Sequence, residues 1–381
     1  MKKEPGPEDI CIHEYEDYEK YHGAVVSPIF QNTLFVQNKD NAFVEDAYVY
    51  TRINNPTLEL AEKKLAALEN AEKALLFSSG MAAISSGILS VLHQGDHVVC
   101  IENAYGPTRD FFEQYLQKYG ISVSFVPGID SEDFQKAMTE RTKLFYLESP
   151  TTFTFHLQNL ANIAKIAKKN NVVTMIDNTW ATPLFQNPIQ WGIDMVVHSA
   201  SKYLGGHSDI LGGVLAGSKE RIQQIQMSER ALFGGVMDPH QAWLLIRGLR
   251  TFAIRMRQHQ ESALKVAHFL EEHPSVTRVL YPALKSHPQH QLAQRQMQGF
   301  SSLMGIVLNG TSEDVNCFIQ NLKIFQLACS WGGFESLVIP IGKGMEEERR
   351  VKLGIHQNLV RIHVGLENVD SLIDDLNQAL T

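Results

Sequence analysis

Cysteine is scarce in this chain. Its 381 residues include only Cys11, Cys100, Cys317 and Cys329, widely scattered, with no CxxC pair and no metal-ligand spacing. Reduced thiols in a cytoplasmic protein, and no metal, are the expectation. Positive charge is also in deficit. Lys and Arg number 34 against 42 Asp and Glu, a net charge of −8, and no basic run stands out. Nucleic acid and anionic membrane are therefore poor candidates as partners. No apolar stretch is long enough to span a bilayer. The start, "MKKEPGPEDICIHEYEDYEK", lacks the apolar core of a signal peptide. Internal repeats and low-complexity tracts are missing too. What is abundant is apolar residues, 44% of the chain. That is enough for a large core, in two domains or in one with an appendage.

Residues 1–54 lack a sustained period and carry turn residues such as Pro28, Asn54 and Asn55. They read as an arm that packs on something else. Regularity begins at "NPTLELAEKKLAALEN", where Leu58, Ala61, Leu65 and Leu68 fall near helical spacing with charges between them. Short apolar runs then alternate with helical ones: "ALLFSSG", "HVVCIEN", "SVSFVPG", "KLFYLESP", "VVTMIDNT", "DMVVHSAS" and "GGVLAGS". Strands that are apolar almost throughout, separated by helices, predict a mainly parallel sheet covered on both faces. Near residue 240 the pattern changes. One long helical stretch, "HQAWLLIRGLRTFAIRMRQHQESALKVAHFLEEH", precedes strand-like "SVTRVLYP", "SSLMGIVLNG" and "LVRIHVGLE" and a closing helix from about Asp370. The expected division is an arm at 1–54, a large domain at 55–248 and a smaller α+β domain at 249–381.

Open parallel sheets bind ligands beyond the carboxyl ends of their strands. Here those ends supply Ser79, Gly80 and Met81, then Glu102 to Tyr105, then Glu148, Ser149 and Pro150, then Asp177 and Asn178, and finally Ser199, Ser201 and Lys202. "FSSGMAAISSGIL" is a strand entering a glycine turn and a helix. Free N–H groups at such a helix start can cradle a phosphate, although a plain tight turn reads the same way. Asp177 closes an apolar strand, where a carboxylate is costly unless paired. It suits a helix cap or a protonated ring nitrogen equally well. In "HSASKYLGGHSD", Lys202 follows a strand end and two serines. A desolvated lysine has a lowered pKa and can attack the aldehyde of pyridoxal phosphate, while Ser199 and Ser201 could both reach a phosphate. A surface lysine at a strand end is the plainer alternative.

With "YTRINNPT", "SSGMAAI", "DNTWATPLFQNP", "SWGGFESL" and "LVRIHVGLEN" added in order, essentially the whole chain resembles the cysteine/methionine-metabolism family of pyridoxal-phosphate enzymes. The resemblance implies an α/β, fold-type-I, transferase-like architecture: a mainly parallel seven-stranded sheet with a smaller C-terminal α+β domain. It makes Lys202 the Schiff-base lysine and general acid/base, and Asp177 the partner of the ring nitrogen. Tyr105 would stack on the ring and share in catalysis. Gly80, Met81, Ser199 and Ser201 would hold the phosphate, completed by Tyr50 and Arg52 from a neighbouring subunit. That implies a homo-oligomer with shared sites, a tetramer built from dimers. Arg361 would fork onto a substrate carboxylate, with Ser330 and Trp331 beside it. The implied activity is carbon–sulfur bond cleavage in a sulfur amino acid. The motifs look closest to the bacterial branch that cleaves cystathionine at its β-carbon, ahead of γ-elimination, γ-replacement or cysteine desulfhydration.

Plainer roles stay open for several of these residues. Tyr105 could be a core aromatic, Arg52 a surface charge, Trp331 core filling, and Arg361 the solvent face of an edge strand. A silent binding protein on the same scaffold is also conceivable, but the intact Lys202, Asp177 and Arg361 argue against it. Two departures stand out. Thr152 and Phe153 occupy the place where many family members have Asn-Pro near the cofactor hydroxyl. Cys329, beside Ser330, replaces a residue that is often aromatic in the β-lyase branch. His198, His207 and His363 lack ligand spacing, so structural roles are expected.

Overall fold

The computed structural model describes residues 5–37, 39 and 47–381. The remainder of the expected arm, residues 1–4, 38 and 40–46, lies outside the described residues. Seven strands form the large sheet: β1 (Lys73–Phe77), β2 (His97–Ile101), β3 (Ser122–Val126), β4 (Thr142–Glu148), β5 (Val173–Asp177), β6 (Met195–Ser199) and β7 (Gly213–Gly217). Their order is β1-β7-β6-β5-β4-β2-β3. Only β7 runs against its neighbours β1 and β6. "HVVCI" is buried at every position, because helices cover both faces and no side of the strand meets water. Leu76, Phe77, Val98 and Leu144 are wholly buried, each such side chain stabilising the fold by about 1.5–3 kcal/mol.

Helix α1 (Pro7–Ile12) and α2 (Pro56–Leu68) bracket the arm. The Asn55 side chain caps α2 by accepting the Thr57 N–H at 2.9 Å, and Pro56 opens the helix where its missing N–H costs nothing. The start of the arm packs on its own chain. Lys64 of α2, fully buried, donates to the carbonyls of Ile10 and Glu14 and pairs with Glu16. Helix α3 (Gly80–Leu89) follows β1, and Ser79 caps it by accepting the Ala82 N–H at 3.1 Å.

The long helical stretch expected after residue 240 is two helices, Pro239–Leu249 and Phe252–Glu272. The Arg255 guanidinium donates to the carbonyls of Gly248 and Tyr203 at 2.8 Å each. It thus ties the end of the first helix, where the Gly248 carbonyl also accepts the Thr251 N–H, to the segment that follows Lys202. Beyond lies a second sheet of β8 (Val276–Leu280), β9 (Leu303–Leu308), β10 (Gln326–Leu327), β11 (Leu337–Pro340) and β12 (Leu359–His363). Its order is β10-β11-β12-β9-β8. Arg361 therefore sits on the central strand of this sheet, not on an edge. A closing helix, Val369–Leu380, packs over the sheet through Leu372 and Leu376.

Candidate active site

The parallel strands end together. Glu148 of β4 lies in register with Asp177 of β5, and Asp177 with Val197 of β6. Lys202 follows β6 by three residues, in a turn closed by its own N–H on the Ser199 carbonyl. The start of α3 lies against the end of β6 at Gly80 and Ser199, and Ser330 of the smaller domain meets Lys202 there. These ends thus converge on one region, the candidate crevice.

The start of α3 is pressed against β6. A Cβ added to Gly80 would lie 3.2 Å from the Ser199 Cβ, so a side chain at 80 would fill the space between helix N-terminus and serine. That gap, lined by free helix N–H groups and the Ser199 hydroxyl, is a cradle suited to a phosphate. Met81 borders it, with its sulfur 3.9 Å from the Thr108 hydroxyl. Ser201 is more committed, because its hydroxyl accepts the Gly212 N–H at 3.0 Å.

Lys202 Nζ donates to Ser330 Oγ at 2.7 Å and lies 5.2 Å from the Trp331 ring centroid. Burial, followed by the charge of Arg361, lowers the lysine to about 8. A large share of the amine is then neutral near pH 8, as nucleophilic attack on a carbonyl requires. Asp177 is 9% exposed, and its Oδ1 accepts from the N–H and hydroxyl of Thr179. Burial raises its pKa, partly countered by the Thr179 bonds and by His198 and Lys202. A buried carboxylate in that position calls for a cation or further donors.

Glu148 is legible from sequence only as a strand end, yet it organises the crevice floor. It accepts the Tyr105 N–H at 2.7 Å and the hydroxyl of Thr152. Burial and the Asp177 charge push it up to about 8. Burial thus raises both of these adjacent carboxyls, and each disfavours ionisation of the other. Thr152 is thereby engaged within the chain, and Phe153 takes a left-handed φ of 68° and packs, partly buried, against the apolar cluster that includes Ile341 and Leu359. Tyr105 immediately precedes α4 (Gly106–Asp110) and leaves its ring 46% exposed, open to stacking. Burial raises its phenol, with the charges of Asp177, Cys329 and Glu148 adding to the effect.

Arg361 reaches the same crevice from β12. Its Nη2 donates to the Cys329 carbonyl at 2.6 Å, and burial lowers it to about 10. That carbonyl, invisible to side-chain reasoning, fixes the guanidinium. The Trp331 indole instead packs on Tyr203, with centroids 5.5 Å apart, and faces Lys202. Tyr50 and Arg52 turn elsewhere. The Arg52 guanidinium lies 5.4 Å over the Tyr50 ring and donates to the Ala231 carbonyl at 2.5 Å. No hydrogen bond among the described residues ties either to the Lys202 group. His198 pairs with Glu69 at 2.5 Å, His207 with the Gly205 carbonyl at 2.8 Å, and His363 is buried. Among the described residues no cluster could hold a metal, and no helix is long and apolar enough to cross a membrane.

The family model for Cys/Met metabolism PLP-dependent enzymes matches residues 8–381. The chain is 40% identical over 376 residues to a cystathionine gamma-lyase of Bacillus subtilis, covering 97% of this chain and 98% of that one. It is 38% identical over 376 residues to a cystathionine beta-lyase of Coxiella burnetii, covering 97% and 96%. The crystal structure of metB from Corynebacterium glutamicum superposes with a TM-score of 0.94 at 34% identity, covering 99% of this chain and 98% of that chain.

Proposed function

This chain belongs to the Cys/Met-metabolism family of PLP-dependent enzymes, and on that premise we propose that it cleaves L-cystathionine at the Cβ–S bond. With water, the products are homocysteine, pyruvate and ammonia. Bound pyridoxal phosphate supplies an electron sink for negative charge at the substrate Cα. Gly80, Met81, Ser199 and Ser201 would hold its phosphate, Asp177 its ring nitrogen, Tyr105 its ring face and Lys202 its aldehyde carbon. The cradle at Gly80 and the unmatched charge at Asp177 fit that group.

Arg361, fixed by the Cys329 carbonyl, binds the substrate α-carboxylate through the rest of its fork. The Lys202 amine, lowered to about 8, takes the proton from the substrate Cα. Lys202 or the Tyr105 hydroxyl then gives a proton to the departing sulfur. The observation that carries the β-carbon reading is the tether on Lys202, between Ser330 Oγ and the Trp331 ring. β-Elimination needs one proton abstraction, at Cα, whereas the γ-route needs a second at Cβ and so a lysine free to shift. The test is product analysis on L-cystathionine by mass spectrometry. Pyruvate with homocysteine is expected, and 2-oxobutyrate as the main keto acid would move the chain to γ-elimination.

A second reading, γ-elimination, draws support from Cys329. A small side chain stands where an aromatic would narrow the pocket, leaving room at the distal end of the substrate. Tyr50 and Arg52 complete the phosphate site of a neighbouring subunit in this proposal, within a tetramer built from dimers. The engagement of Arg52 with the Ala231 carbonyl, and the lack of any hydrogen bond to their own Lys202 network among the described residues, support that arrangement.

A further inference from the structure

Directly beneath the loop that carries Ser330 lies a cluster that none of the steps above employs. Tyr203, His259, Ser302 and His363 are each at most 1% exposed. Arg361 and His363 stand two residues apart on β12 and so share one face of the strand. The first reaches into the crevice, and the second is turned under the loop.

The Gly332 N–H donates to His363 Nε2 at 3.1 Å. A backbone N–H can only donate, so Nε2 is the acceptor nitrogen and the ring proton sits on Nδ1. Nδ1 lies 3.1 Å from Ser302 Oγ, which it can serve as donor. The Gly333 carbonyl is also 3.2 Å from Nε2. A proton there would face the Gly332 N–H head-on, whereas a proton on Nδ1 satisfies Gly332 and Ser302 together. The Ser302 N–H donates to the Tyr203 hydroxyl at 3.0 Å, and Tyr203 is the residue after Lys202. Burial, with His259, Arg361 and Lys202 nearby, holds the His363 ring neutral by pushing its pKa well down.

The loop above has no spare room. Gly332 has a φ of +84°, and a Cβ there would lie 2.8 Å from the Tyr203 nitrogen and 2.9 Å from the Lys202 Cβ. Only glycine fits where the loop lies on the Lys202 backbone. Its N–H, pointing into the core, would be costly to leave unpaired. His363 Nε2 is what pairs it.

We propose that His363 is a positioning residue: by accepting the Gly332 N–H it seats the 330–333 loop so that Ser330 Oγ holds the Lys202 amine. This rests on reading Lys202 as the reactive amine, and His363 itself touches no substrate. An imidazole suits the task because it joins two buried groups that an aliphatic side chain would leave unpaired.

The test compares H363Q, H363F, S330A and the H363F/S330A double variant as full-length protein. In the chain freed of cofactor, the acylation rate of Lys202 by acetic anhydride is followed by peptide mass spectrometry. In the holoenzyme, kcat and KM are measured on L-cystathionine. H363F keeps the bulk but offers no acceptor, and S330A removes the tether. Each should raise the Lys202 acylation rate about fivefold, the worth of one net hydrogen bond. H363Q can still present an oxygen to Gly332, so it should stay within about twofold of the parent. H363F should add nothing in the S330A background, because both act through one contact. In the holoenzyme H363F should lower kcat about tenfold with KM within about threefold.

An unchanged Lys202 rate in H363F overturns the proposal, as does full additivity with S330A or a glutamine variant as impaired as the phenylalanine one. If H363F fails to fold, H363N replaces it. Asparagine is too short to reach Gly332 while still meeting Ser302, so equal behaviour of H363N and H363Q would also overturn the assignment. Labelling needs no turnover. A chain that cleaves no carbon–sulfur bond yet shows the coupled labelling pattern would sink the lyase reading alone.

Discussion

Replacing Lys202 by methionine tests the reactive amine through stability as well as activity. Burial and the Arg361 charge lower this lysine from an ordinary 10.5 to about 8. A depression of that size is worth about 3 kcal/mol, at about 1.36 kcal/mol per pH unit. Lys202 is partly open to the crevice, so solvent screening reduces the figure to about 1–3 kcal/mol. The sign follows from linkage. Between about pH 8 and 10.5 the unfolded chain binds the proton and the folded chain does not, so stability rises with pH across that window. Below about pH 8 both states are protonated, and the full penalty of a buried charge is present. K202M carries no such penalty and roughly fills the same space. Freed of cofactor, it should unfold at a higher temperature than the parent at pH 7, with the gain fading to nothing by about pH 10.5. Thermal unfolding at equal protomer concentration measures this, and turnover should be abolished. A variant less stable than the parent at pH 7, or equally shifted at both pH values, would refute the desolvated amine. Retained turnover would sink the mechanism itself.

Three further outcomes follow from the site. G80A puts a methyl group into the gap beside Ser199, so cofactor affinity should fall at least about tenfold by fluorescence titration while stability without cofactor shifts by less than about 1 kcal/mol. Unchanged affinity would remove the phosphate from this cradle. R361K keeps the charge but loses the fork, and KM for L-cystathionine should rise about 10–100-fold in steady-state assays; an unchanged KM would place the carboxylate elsewhere. Subunits carrying R52A, refolded together with K202A subunits, should regain some activity through hybrid sites in which one chain supplies Lys202 and its neighbour Arg52. Dead hybrids from well-assembled variants would defeat the shared-site proposal.

Much of the large sheet is legible because each buried strand is a short apolar run and helix-length segments separate most of them. The strand ends then expose Asp177 and Lys202 without any knowledge of tertiary contacts. What escapes is whatever depends on partners far along the chain. Lys202 meets Ser330 across 128 residues, and Asn103 donates to the Leu353 carbonyl across 250. No local period encodes such pairs. The contacts beside the break at residues 250–251 belong to the same class, since Arg255 there reaches Tyr203 in another segment.

The alternation around Arg361 shows why periodicity alone cannot assign a face. "VRIHVGL" has the same pattern whether its polar residues point to water or to a crevice between two units. Topology decides, by placing β12 between β11 and β9. The face that Arg361 and His363 share is not left to water, because His363 is 1% exposed under the 330–333 loop and Arg361 is half-buried beside Cys329. A buried cation needs an anion or oriented dipoles, and a buried imidazole needs partners on both nitrogens. The Cys329 carbonyl meets part of the first requirement, and the second falls to Gly332 and Ser302. The rest of the guanidinium fork has no carboxylate from the protein among the described residues. That unmet demand is the physical reason to expect the missing anion from a substrate.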